Sequence, residues 1–249
     1  MTKLSVNVNK VATLRNTRTT GIPSVVYAAR LCLEAGADGI TIHPRPDQRH
    51  VRPGDVGELA QLLRGYPAAE FNIEGNPFHA FLDFATEVRP QQCTLVPDET
   101  VAFTSDHGWD LSRDADRLRP VIKTIQRLGA RVSLFIDPDP STVERAASLG
   151  VERVELYTAP YAEAFARNNA LAGVDPYIAT AMRARELGIQ VNAGHDLSLQ
   201  NLGFFLSKVP SIAEVSIGHA LIADALEFGL SETVRRYLAI TQKNIASSH

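Results

Sequence analysis

Four histidines, His43, His50, His195 and His219, fall at or just beyond short apolar runs of the chain. Imidazole titrates near neutral pH, so such a set can carry protons to and from reacting atoms. Glu74, which closes FNIE, adds a carboxyl that burial can tune into an acid or base partner. Two of the histidines follow a glycine, in NAGHD and SIGHA, each between an apolar run and the next helical pattern. Glycine lets the main chain approach an anion, and a helix N-terminus offers unpaired N–H groups and a favourable dipole. Gly194, Gly218 and His219 therefore read as one phosphate site. Lys10, Arg18, Arg45 and His50, which follow the first two apolar runs, can hold a second anion, and two anion sites point to two phosphorylated groups.

Other chemistries find less support. No HxH, HExxH or carboxylate cluster has metal-ligand spacing, and neither a Gly-rich dinucleotide fingerprint nor a P-loop is present. Lys10 is the one lysine near a strand end, where it can serve as a Schiff-base amine or, better, as a cation for phosphate. A net charge of -3 gives no basic field for a nucleic-acid backbone. The N-terminal MTKLSVNVNK lacks the apolar run of a secretory signal, and no stretch approaches the roughly 18 apolar residues of a membrane span. Cys32 and Cys93 belong to no CxxC or Cys/His cluster, so a cytosolic protein with two reduced, buried thiols is expected.

The elements that must position these residues share one grammar. In CLEAGADGITIH, QRLGARVSLFID, ASLGVERVELYT and RELGIQVNAGH a helix stops at a glycine and an apolar strand follows at once. Weaker units extend the alternation and predict strands over 4–8, 39–42, 70–73, 92–95, 132–136, 153–156, 190–193 and 214–217. Helices are predicted over 24–35, 77–88, 120–128, 142–149, 176–187, 199–207 and 220–228. Eight such units predict a (β/α)8 TIM barrel with extra helices, as a single domain over 1–249, with an open doubly wound sheet as the runner-up. The connections over 97–117 and 158–174 are long for such a fold and are expected to act as lids or interface elements.

In such barrels the chemistry sits at the C-terminal strand ends. Those ends deliver Asn7, Asn9 and Lys10, with Arg15 and Arg18 soon after; then His43, Arg45 and His50; then Glu74; then Asp98, Glu99 and Thr104; then Asp137; then Glu155 and Thr158; then Asn192 and His195; then Gly218 and His219. Plainer readings stand beside these. Asn7 and Asn192 can be turn residues, Glu74 can pair with a barrel arginine, and His43 can be a satisfied interior histidine. DPDPS at 137–141 reads as a turn and N-cap, and Asp98 and Glu99 as solvated loop charges.

The motifs VNVNKVATLRNTR, GADGITIHPRPDQRHV, FNIEGNP, CTLVPDE, VSLFIDPD, VNAGHDL and SIGHALI run in order from residue 6 to residue 222, and together they resemble the pyridoxine 5'-phosphate synthase family of vitamin B6 biosynthesis. The resemblance implies an enzyme joining 3-amino-2-oxopropyl phosphate to 1-deoxy-D-xylulose 5-phosphate, releasing inorganic phosphate and water. It implies no metal or organic cofactor, a homo-octamer built from dimers, and a cover over the active site from the loop after the fourth strand, which is expected here to be the segment 97–109. By motif, His43 resembles the general base, Glu74 a second acid/base group and His195 the proton donor. Arg45, His50 and Thr104 match positions for the deoxyxylulose phosphate; Asn7, Arg18, Gly218 and His219 match positions for the amino-ketone phosphate or its partner. Well-known members read Asp-His where this chain has Asn9 and Lys10, and glycine where it has Asp196, whose N–H the resemblance assigns to a phosphate. Another phosphosugar isomerase, epimerase or aldolase is the alternative reading, and a catalytically silent metabolite-binding barrel a further one.

Overall fold

A computed structural model describes residues 1–98 and 105–243. Eight parallel strands, β1 (Lys3–Asn7), β2 (Gly39–Ile42), β3 (Glu70–Gly75), β4 (Gln92–Leu95), β5 (Arg131–Ile136), β6 (Arg153–Leu156), β7 (Gln190–Ala193) and β8 (Ile212–Ile217), pair in sequence order. Strand β8 returns to pair with β1, so the sheet closes into a barrel and the open-sheet alternative is excluded. Around it lie α1 (Asn9–Asn16), α2 (Val25–Glu34), α3 (Pro53–Leu63), α4 (Phe81–Val88), α5 (Leu111–Arg127), α6 (Pro140–Leu149), α7 (Ala159–Ala166), α8 (Ala170–Glu186), α9 (Leu202–Lys208), α10 (His219–Phe228) and α11 (Leu230–Lys243). This is the (β/α)8 architecture that the alternation predicts.

Side chains alternate across each strand, which separates two environments. Leu4, Val6, Ile40, Ile42, Phe71, Ile73, Val154 and Leu156 pack with the helices in the hydrophobic core. The residues between them form a polar lumen. Ser5 and Thr41 share a 2.7 Å hydrogen bond, Asn72 donates to Thr41 at 3.3 Å, and Thr94 donates to Asn72 at 3.1 Å. At the N-terminal end of the barrel Lys3 and Arg131 pair with Glu70, while Arg153 pairs with Glu214 at 3.2 Å. The strands, expected to be apolar, are apolar toward the helices and largely polar toward the lumen.

The helix stops fall as expected: Gly36, Gly129, Gly150 and Gly188 have φ of 104°, 86°, 77° and 73°. Asp139 caps α6 by accepting from the Ser141 N–H at 3.0 Å, so the DPDPS run is the turn and cap it resembles. Both buried cysteines are free.

Other expectations are corrected. Helix α5 starts near 111, where Asp110 accepts from the Ser112 N–H, and Pro120 lies in its interior, so the connection after β4 ends before 111 rather than at 117. The stretch 158–174 is not an open loop. It holds α7 and the start of α8, because Tyr161, Val174 and Tyr177 bury their side chains, and Pro176 is again interior. In both cases the proline pattern points to a first-turn residue, whereas local capping and burial extend the helix through it. His79, expected on a helix, lies in the turn before α4. Thr104 and the centre of the expected cover segment lie at 99–104, outside the described residues.

Candidate active site

A cavity of about 470 Å³ opens at the C-terminal ends of the strands. Its walls bring together Asn7, Asn9, Lys10, His43, Arg45, His50, Glu74, His195, Asp196, Gly218 and His219, which come from five different strand ends. Arg18 is exposed beyond α1 and is not part of this wall. Its neighbour Arg15 is buried and structural, with its guanidinium on Asp55 at 2.5 and 2.9 Å and on the His50 carbonyl at 3.2 Å.

Strand β1 ends by organising its neighbours. The Asn7 amide donates to Glu74 Oε2 at 3.3 Å, and its carbonyl accepts the Asn9 N–H at 3.0 Å. Asn9, in the first turn of α1, accepts the His43 backbone N–H at 2.9 Å. The predicted base and the predicted carboxyl are therefore linked to one short segment. His43 is buried, with its ring edge-on to His50 at a centroid distance of 5.8 Å.

Burial and charge displace these groups in opposite directions. Burial, reinforced by His50 and Arg45, holds the His43 imidazole well below its ordinary value, so it is a neutral base. Burial, reinforced by the Glu155, Asp98 and Glu214 carboxylates, lifts Glu74 well above the usual carboxylate range, so it keeps its proton. Glu155 is pushed up to about 8, first by burial and then by Glu214. Burial and the Arg45 charge bring His50 down to about 4. A neutral base and a protonated carboxyl facing one cavity form a matched proton-transfer set.

On the far wall Thr158 donates to the His195 carbonyl at 2.6 Å, and the Tyr157 ring meets the imidazole edge-on at 5.3 Å. Asp196 adopts the left-handed φ of 66°, uncommon for a residue with a side chain, and its Oδ2 lies 3.4 Å from His195 Nδ1. The contact with His195 comes first among the causes that keep Asp196 below the ordinary carboxylate range. Gly194 is required for space: a Cβ there would lie 2.7 Å from the Ser216 carbonyl and 3.0 Å from Glu155 Oε1. Gly218 caps α10 without any side-chain bond, which leaves the N–H groups of the first turn for an anion. A Cβ at 218 would meet the Asn7 side chain at 3.1 Å.

Several wall residues were not singled out from the sequence. Glu155 was noted at a strand end but given no role, yet it is buried in β6 among the lumen groups. Asp98, read as a solvated loop charge, is buried and bonded to Arg45 at 2.7 Å and Ser105 at 2.8 Å. Ser216 and Phe135 complete the wall. The signal for Glu155 and Ser216 was the polar residue at every second position of the strands, as in RVEL and IAEVSI. Asp98 carried no such signal, because its partners are distant in sequence.

Among the described residues no cluster of three or more His, Cys, Asp or Glu side chains is arranged to hold a metal ion, and no helix is long and apolar enough to cross a membrane. The chain resembles tryptophan synthase of Mycobacterium tuberculosis in fold, with a TM-score of 0.66, 12% identity, and coverage of 97% of this chain and 93% of that one. Relatives in sequence are much nearer. The pyridoxine 5'-phosphate synthase of Albidiferax ferrireducens is 54% identical over 242 residues, covering 95% of this chain and 96% of that one. The protein of the same name from Bacteroides fragilis is 52% identical over 237 residues, covering 95% and 98%. The family model described as pyridoxal phosphate biosynthesis protein PdxJ matches residues 4–243, and with these relatives it shows that the chain belongs to the PdxJ, or pyridoxine 5'-phosphate synthase, family.

Proposed function

We propose that this chain condenses 3-amino-2-oxopropyl phosphate with 1-deoxy-D-xylulose 5-phosphate by general acid/base catalysis, yielding pyridoxine 5'-phosphate, inorganic phosphate and water. The observation that carries this reading is that the buried His43 and Glu74 line one cavity with His195, where burial favours a neutral imidazole and a protonated carboxyl. Condensation of an amine with a ketone needs a proton placed on the departing oxygen and another taken from nitrogen or carbon. Glu74 supplies the first and His43 takes the second, while His195 donates a proton from the opposite wall. Burial first, and then the neighbouring Glu155, Asp98 and Glu214, keep the Glu74 carboxyl protonated.

Two sets of anion-binding residues line the cavity. Arg45 and His50, with Lys10 near them, take the ketose phosphate. The open N-terminus of α10 at Gly218 and His219, with the Asp196 N–H beside it, takes the amino-ketone phosphate. Binding energy from both phosphates then holds two substrates in register for a reaction that is otherwise bimolecular. The test is product formation with both substrates together and with each alone, in the presence of a chelator. Pyridoxine 5'-phosphate and free phosphate are expected only with both substrates, and neither with His43→Ala or Glu74→Ala. A folded chain that turns over a single sugar phosphate without the amine would overturn the reading.

A further inference from the structure

The buried carboxylate of Asp98 joins three parts of the cavity wall. Its Oδ2 accepts from Arg45 Nη1 at 2.7 Å and from Ser105 Oγ at 2.8 Å, while its main-chain carbonyl accepts from the Asn76 amide at 3.1 Å. Arg45 and Asp98 side chains are each only 4% exposed, so the pair is shielded from the solvent screening that weakens surface ion pairs. Asn76, just past β3, is itself buried and accepts the Phe78 N–H at 3.0 Å, which fixes the platform under Asp98. A second, smaller cavity of about 230 Å³ shares His43, Arg45 and Asp98 with the first and is otherwise lined by residues such as Pro44, Pro53, His79 and Phe84. The Arg45 guanidinium therefore borders two cavities, and something must fix which of them it serves.

We propose that Asp98 is the positioning residue for Arg45: its carboxylate holds the guanidinium at the partition between the two cavities, aimed at the phosphate of the substrate that binds there. Asp98 acts through Arg45 and does not itself touch the phosphate, since a second anion there would repel it. A planar guanidinium binds phosphate well only in a fixed orientation, so the loss of its anchor weakens binding even though a negative charge has been removed. This role rests on the proposed reading only in naming the phosphate-bearing ketose as the ligand of Arg45.

The experiment is a double-mutant cycle on the full chain, read by calorimetric binding of 1-deoxy-D-xylulose 5-phosphate and of inorganic phosphate. Arg45→Ala and Asp98→Asn are each expected to weaken ketose-phosphate binding by about tenfold, and the double variant to bind no more weakly than Arg45→Ala alone. In turnover assays Asp98→Asn should raise KM for the ketose phosphate far more than it lowers kcat. Ser105→Ala, which removes one bond to Asp98 without burying a lone charge, should shift KM in the same direction by about threefold and serves if Asp98→Asn fails to fold. Tighter binding in Asp98→Asn, unchanged binding, or losses that add to those of Arg45→Ala would overturn the proposal. A wild-type chain that binds the ketose phosphate but makes no product would sink the reaction and leave the Asp98 result standing. Normal wild-type turnover, with ketose-phosphate binding and KM unchanged in Asp98→Asn, would sink Asp98 alone, and a chain that binds neither anion would sink both.

Discussion

The side-chain carbonyl of Asn9 accepts the backbone N–H of His43 at 2.9 Å, which ties the first turn of α1 to the end of β2. An aspartate at position 9 keeps this acceptor but sets a full negative charge on the His43 backbone N–H, within Coulombic reach of the ring. A nearby anion favours the protonated ring, so His43 should rise toward its ordinary value. In Asn9→Asp the acid limb of kcat/KM is expected to move up by about one pH unit, with little change at the optimum. A pH–rate profile that does not move would show that His43 is not the group whose protonation stops the reaction.

Glu74 is held protonated in the folded chain, so activity that needs its proton should decline as pH rises through its raised value. Glu74→Gln keeps a partner for the Asn7 amide but cannot give up a proton. Its kcat is expected to fall by about 10²–10⁴-fold with the fold intact by circular dichroism. Retention of more than a tenth of wild-type kcat would remove Glu74 from the mechanism.

Glu155 ties stability to pH. Its folded value, about 8, lies above that of an unfolded glutamate, so the stability associated with its neutral form is fully present below the unfolded value and is lost as pH rises through about 8. Glu155→Gln should therefore melt close to wild type near pH 5 and well above it near pH 9, where each kcal/mol is about 2–4 °C for a chain of this size. Equal melting differences at both pH values would contradict the assigned shift.

The approach of Gly194 to the Ser216 carbonyl leaves no room for a methyl group. Gly194→Ala is expected to cost about 1–3 kcal/mol and to lower kcat by displacing His195, which follows it. A thermal melt and kcat equal to wild type would mean that the β7 end has more freedom than its contacts indicate.

The barrel was legible because four αβ units carry their own signal, a glycine at the helix stop followed at once by an apolar strand, and these signals depend on residues a few positions apart. The boundaries of α5 and α8 were misread because Pro120 and Pro176 resemble helix starts, and only the caps and burial upstream show that the helices begin earlier. Most of the cavity wall could be listed from strand ends, since the barrel fixes where those ends point.

By itself, then, the sequence determined the eightfold alternation, the Gly-His turns after β7 and β8, and the presence of His43, Glu74 and His195 at strand ends. Tertiary structure alone decided that Asp98 is a buried partner of Arg45, that Arg18 stands outside the wall, and that Glu155 lines the cavity close enough to act on Glu74. The physical reason is range. Turns, caps and periodicity follow from near neighbours, whereas burial, ion pairing and the pKa of a carboxyl depend on residues that barrel closure brings together from positions such as 45, 74, 98 and 155.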